Sequence, residues 1–186
     1  MHFNTQQFLI NTVNYPSSFT AIYGARQTGG ERQRVLSAVN NNWLLGYWGG
    51  AKQQAYYEGW VSSNPGNPAS DDNYYIYSGA SDGSTSQLYE NGTLIENNSG
   101  GVTGPNGIEL NGGFYGSEMS DCDFTDVFLF DTVLNTTDRN TVENSTKNYY
   151  IPISTPSITV SPTVTTTYTV TGTNVTGCST TTSFTV

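Results

Sequence analysis

Between Ser86 and Ile95 the chain reads Ser-Gln-Leu-Tyr-Glu-Asn-Gly-Thr-Leu-Ile, and the Asn91-Gly92 pair constrains the fold more than any other stretch. Both residues accept positive φ at low cost, which a type I′ two-residue hairpin turn demands. The turn sets a register in which Glu90 faces Thr93, Tyr89 faces Leu94 and Leu88 faces Ile95. Because side chains alternate, Tyr89 and Leu94 share one face of the ribbon and Leu88 and Ile95 the other. A hairpin that is apolar on both faces is expected inside a layered β structure and not on its rim.

Short apolar-bearing runs recur on both sides of this hairpin. One strand is expected within residues 3–15, then others at Phe19–Ala25, Arg34–Val39, Trp43–Trp48, Gln54–Val61, Tyr74–Gly79, Ile108–Leu110 and Phe124–Phe130. Gly49 to Lys52 joins two of them into a second hairpin, with Trp43, Leu45 and Tyr47 on one face and Tyr56, Glu58 and Trp60 sharing a face of the partner strand. Short strands about every ten residues, separated by turn signals, indicate an antiparallel two-sheet sandwich or jelly roll. The one helical segment is Asn135 to Tyr149, where Asn135 can cap and Asp138 places an acid at the positive helix end. It is short and polar, and is expected to close the fold against the sandwich edge.

Composition supports an all-β chain. Thirteen Tyr, eight Phe and three Trp accompany only 11% charged residues, and the strong helix formers are scarce. A net charge of −9, a pI near 4.2 and six basic residues argue against nucleic-acid binding, since phosphates need clustered Lys and Arg. Acidity of this kind suits solubility, divalent cations or neutral sugars. No run is long and apolar enough to span a bilayer, so membrane insertion is not expected. Residues 1–20 lack a basic start and a continuous apolar core, so no signal peptide is read there. Cys122 and Cys178 either form a single bridge or stand as two independent thiols. From Asn148 to Val186 there is no charged residue and Thr dominates. The expected organisation is therefore a domain over 1–150, a Pro-containing linker over 151–156 and a Thr-rich β tail over 157–186.

Several stretches carry a family resemblance. Asn42–Gly50, Tyr57 with Trp60-Val61, Leu88–Gly92, Gly104–Ile108, Ser120–Val127 and Leu134–Glu143 resemble, in order and spacing, the laminin-G-like group of concanavalin A-like lectin/glucanase jelly rolls. The resemblance covers about residues 3–150 and implies two packed antiparallel sheets, an extracellular or cell- or virion-surface setting, and binding of sugars or proteins, sometimes with calcium. The tail, from Pro156 to Val186, is similar to the C-terminal half of immunoglobulin-like repeats in secreted bacterial adhesins. Three strands are expected there, half a sandwich with one uncovered apolar face, which is not stable alone.

Candidate sites follow from residue type. Trp48, beside Gly49-Gly50, Tyr57, and Tyr115 in a Gly-rich loop can stack on sugar rings, whereas Trp43 and Trp60 are expected in the core. Asp71, Asp72, Asp121 and Asp123 lie in two loops that a jelly roll can bring together, and their hard oxygens suit calcium, the alternative being solvated loop acids. Glu118, Asp121 and Asp123 invite comparison with glycanase carboxylates, but the spacing breaks the alternation such a strand needs. A Ser-His-Asp mechanism would rest on His2, at a terminus expected to fray. No catalytic residue is assigned. Arg26, Arg32 and Arg34 are read as a solvated edge. The expectation is a non-enzymatic adhesion module recognising a glycan or a surface protein. The rival is a self-assembling subunit of an extracellular fibre or virion surface that pairs tail strands between copies. A glycan-active hydrolase ranks third.

Overall fold

The computed structural model describes residues 1–4, 7–112, 117–151, 159–173 and 178–186. Its strands are β1 (His2–Phe3), β2 (Leu9–Asn14), β3 (Ser18–Gln27), β4 (Leu36–Ser37), β5 (Trp43–Trp48), β6 (Ala51–Tyr57), β7 (Tyr75–Asp82), β8 (Ser86–Glu90), β9 (Thr93–Asn98), β10 (Asn106–Leu110) and β11 (Cys122–Phe130). Then come the helix α1 (Thr136–Tyr150) and the tail strands β12 (Thr167–Thr173) and β13 (Ser179–Thr185). One sheet has the order β1-β11-β3-β7-β8-β9 and the other β2-β10-β4-β5-β6, all antiparallel. The chain is an all-β jelly-roll sandwich with one helix. Two compact units divide at Ile153/Ser154, and 152–158 lie outside the described residues.

The alternation of β5 explains how the layers close. Trp43, Leu45 and Tyr47 point inward and are fully buried, and they meet Phe19, Tyr23 and Tyr77 from the other sheet. Trp43 stacks on Tyr57 with ring centroids 5.2 Å apart, and Phe19 packs edge-on against both. The core is rich in tyrosine, and three of its hydroxyls find acceptors inside it, whereas the buried Tyr57 hydroxyl has none among the described residues. Tyr23 donates to the Leu45 carbonyl at 2.5 Å, Tyr47 to the Ala25 carbonyl at 3.0 Å and Tyr77 to the Glu90 carboxylate at 2.7 Å.

The Asn91-Gly92 turn forms as expected, with φ of +51° and +84°, and pairs Glu90 with Thr93 and Tyr89 with Leu94. One step further Leu88 pairs with Glu96, because Ile95 is the extra residue of a bulge. Leu88 and Ile95 still both turn toward the core, whereas Leu94 is 48% exposed. The hairpin is on the rim after all: β9 is the edge of its sheet. Tyr89 is covered by α1 instead of by a second sheet.

Other expectations need correction. Residues 3–15 form two strands in different sheets: β1 covers β11 at Cys122 and Asp123, and the chain then crosses to β10 as β2. The expected strand at Arg34–Val39 shrinks to Leu36–Ser37. Helix α1 is capped by Asn135, whose side chain accepts from the Asp138 amide at 2.9 Å. It lies across β3, β7 and β11, on the outer face of the six-stranded sheet rather than its edge. In the tail, β12 and β13 pair from Thr167/Thr185 to Thr173/Ser179, and Thr159–Thr166 is not strand, so the described tail has two strands, not three. Among the described residues there is no disulfide: Cys122 is buried in the core and Cys178 is exposed. Burial pushes the Cys122 thiol up to about 12.

Candidate ligand-binding site

The inner face of β5 and β6 is filled by Trp43, Tyr47 and Tyr57, yet a second group of aromatics sits on the outer face of the same ribbon. Tyr56 pairs opposite Leu44, and side chains next to inward Tyr57 must point outward. Glu58, at φ +57°, turns the chain back so that Trp60 bridges to Tyr56. Trp60 therefore lands beside β6, with its ring edge-on to Trp48 at 5.2 Å and to Tyr56 at 5.1 Å. All three rings are half-buried. They form a shelf with one side seated on the sheet and the other facing solvent.

Trp48 is thus where a ligand can reach it. Tyr57 is not: it is fully buried against Trp43 and Phe19, and burial drives its phenol well above the usual range. Tyr115 lies outside the described residues. Trp43 is core, as its position on β5 required, but Trp60 is not. Strand alternation from inward Tyr57 already puts Trp60 on the face of Tyr56, and Glu58-Gly59 is the turn signal that ends the strand between them.

Three of the four aspartates are held by bases. Asp71 accepts from Lys52 at 3.0 Å and from the Tyr75 hydroxyl at 2.7 Å. Asp72 is paired with Arg32. Asp123 bridges Arg26 at 2.8 Å and His2 at 2.6 Å, and Arg26 stacks over Tyr74. Asp121 anchors the turn at Thr28–Glu31 through backbone contacts. Arg34, read as solvated, is 3% exposed and pairs with Glu118. These contacts tie the loop carrying Asp71 to β6 and β7, and the loops carrying Asp72, Glu118 and Asp121 to the segment between β3 and β4. Burial alone would raise Asp71, but Tyr75, the Asn73 amide and Lys52 overcome it and hold the carboxyl at about 2. Asp123 is likewise held below the usual range, its hydrogen bonds to His2 and Arg26 outweighing burial.

Calcium does not fit this arrangement. Its ligands must converge with free oxygen lone pairs, and three of the four aspartates face a Lys or Arg side chain instead. No group of three His, Cys, Asp or Glu comes together among the described residues. One acid that sequence reasoning missed is Glu109, 8% exposed on the outer face of β10. Burial raises its carboxyl, and the nearby Arg34 charge opposes that shift.

Among solved structures, the native heptameric SAP-like pentraxin of Limulus polyphemus is 13% identical and aligns over 76% of this chain and 78% of its own, with a TM-score of 0.51. Domain 4 of an extracellular GH43 arabinanase from Geobacillus stearothermophilus, solved with arabinotriose, is 11% identical over 69% of this chain and 68% of its own, with a TM-score of 0.49. The receptor-binding domain of botulinum neurotoxin mosaic serotype C/D is 14% identical over 74% of this chain but only 40% of its own, with a TM-score of 0.49. The pentraxin likeness agrees with the fold described above, a jelly-roll β-sandwich. No family model matches the chain, and no curated protein matches it.

Proposed function

We propose that Met1–Ile153 is a non-catalytic, laminin-G-like surface module that binds a neutral glycan on the shelf of Trp48, Tyr56 and Trp60. The observation that carries this reading is the placement of three half-buried rings outside a core that is already filled. Exposed clustered aromatics lose hydration energy unless something covers them, and the C–H faces of sugars complement aromatic rings. The surplus of acids over bases disfavours anionic ligands. A non-catalytic role is supported by the engagement of Glu118 and Asp123 with arginines, which removes them as a free acid and nucleophile. The surface setting comes with the laminin-G resemblance. The test is a glycan array probed with the labelled chain, with and without calcium. Trp60→Ala and Trp48→Ala are each expected to weaken the bound glycan about tenfold while circular dichroism stays unchanged. A blank array, or binding indifferent to both variants, rejects the reading.

A second reading, a self-assembling subunit, is favoured by the tail. Thr167, Thr169, Thr171 and Thr173 pair hydroxyl to hydroxyl with Thr185, Ser183, Thr181 and Ser179 on one face of the hairpin. The opposite face carries Tyr168 stacked on Phe184, with Val170 52% exposed. A two-stranded ribbon with one such face uncovered is marginal alone, and a strand pair from another copy would complete it. Light scattering showing full-length chain and residues 1–153 both monomeric rejects this reading.

A further inference from the structure

The outer face of the six-stranded sheet carries a second recess, beside the start of α1. It is lined by Ala80 and Asp82 of β7, Thr85 of the following turn, Gln87 of β8, Asn97 of β9 and Val133 from the segment before the helix, and encloses about 270 Å3. Strand register builds it: Ala80 pairs with Gln87, and Gln87 with Asn97, so the three lie in one row across three strands. Ala80, 4% exposed, is a small floor beside Gln87 at one end of the row, and Val133 is an apolar wall.

The polar groups around this recess have hydrogen-bonding capacity to spare. The Tyr89 hydroxyl donates to Gln87 Oε1 at 3.0 Å, which orients the amide and leaves Nε2 to donate outward. Asp82 Oδ1 accepts from the Ser84 amide at 2.8 Å, the Ser84 hydroxyl at 2.7 Å and the Thr85 amide at 2.7 Å. Its second oxygen remains an acceptor. The Ser84 hydroxyl, followed by the two amides, holds this carboxyl below the usual range, so it is ionised near neutrality. The side chains of Asn97 and Thr85 bond to no other described residue. No Lys or Arg lines the recess, and Arg139, under Tyr89, is already neutralised by Glu143.

We propose that this recess is a second binding site, independent of the aromatic shelf, that takes a single neutral sugar ring. The carboxylate and the lack of a base exclude anions. A purely apolar ligand would leave two amides and a hydroxyl unpaired, at a cost for each. A ring with vicinal hydroxyls matches what is there: hydroxyls donate to Asp82 Oδ2 and accept from Gln87 Nε2 and the Asn97 amide, while its C–H edge packs on Ala80 and Val133. The volume is at the small end for ligand sites, which suits one residue and not an extended chain.

Side-chain amide resonances of Gln87 and Asn97 can be followed while the full chain is titrated with the methyl glycosides of glucose, galactose and N-acetylglucosamine, and separately with ethanolamine. We expect at least one glycoside to shift both amides saturably. Asn97→Ala should weaken that binding about tenfold, as loss of one good hydrogen bond implies, and Trp60→Ala should leave it unchanged. Both substituted positions are at the surface, and circular dichroism checks the fold. Amides unmoved by every glycoside, a response to ethanolamine alone, or binding indifferent to Asn97→Ala overturns the proposal. Loss through Trp60→Ala would instead assign the binding to the shelf.

Discussion

The Arg139 guanidinium carbon lies 3.4 Å from the centre of the Tyr89 ring, and its Nε is 3.1 Å from the Glu143 carboxylate. Glu143 in turn accepts from the Ser78 hydroxyl at 2.6 Å. A nearly all-polar helix is thus fixed to the outer face of a sheet by a buried charged pair, with little apolar burial of its own. Removing one member leaves the other charged and desolvated, which typically costs 3–5 kcal/mol. Glu143→Ala is expected to lower stability by about 3 kcal/mol in urea unfolding, and the Arg139→Ala/Glu143→Ala double variant by less than the sum of the singles. Additive losses would mean that the pair is not coupled.

Gly46 sits at φ +99°, at the bulge before Tyr47, and a Cβ there would overlap the Tyr23 hydroxyl. Gly46→Ala should therefore destabilise by about 2 kcal/mol or more, combining backbone strain with overpacking. Tyr23→Phe removes the clashing oxygen but also the bond to the Leu45 carbonyl. Adding it to Gly46→Ala is expected to restore part of the loss, measured by the urea midpoint, and no recovery would place the penalty in the backbone and in the second close approach, to Tyr77 Cδ2.

Trp43 of β5 and Trp60, just beyond the end of β6, should behave oppositely. Trp43 is fully buried against Tyr57, so Trp43→Ala is expected to cost about 3–5 kcal/mol. Trp60 rests on the outside, so Trp60→Ala should cost under about 1.5 kcal/mol, the scale of lost aromatic pairing. Comparable losses for both would make the shelf part of the core.

Acid stability should depend on Asp71. Its carboxyl is lowered to about 2 from an ordinary 3.8, so it binds its proton more weakly folded than unfolded. The stability it contributes is complete above pH 3.8 and is lost as pH falls toward 2. Asp71→Asn is expected to flatten the acid limb of a stability-versus-pH curve across that window, with little pH-dependent difference at neutrality beyond a constant offset. An unchanged acid limb would show that Lys52 and Tyr75 do not hold the carboxyl in solution.

Much of the architecture was legible because it is local. Asn91-Gly92 dictates its turn through backbone sterics, Asn135 and Asp138 cap a helix within one turn, and the inward alternation of Trp43, Leu45 and Tyr47 follows from the period of a strand. The same reasoning failed elsewhere. Ile95 bulges and shifts the pairing of Leu88, and Trp60, expected in the core, stays with Tyr56 on the outer face.

The sequence by itself determined that the chain is all-β, that its three tryptophans fall within the single stretch 43–60 and that its charge ends before the tail. Only the tertiary structure decided which aromatics are core and which are surface, because burial depends on the layer that arrives from the other sheet. It also decided that Asp71, Asp72 and Asp123 answer to Lys52, Arg32 and Arg26 instead of converging. Those partners lie 19, 40 and 97 residues away along the chain. Electrostatic pairing is set by distance in space, which no local pattern records.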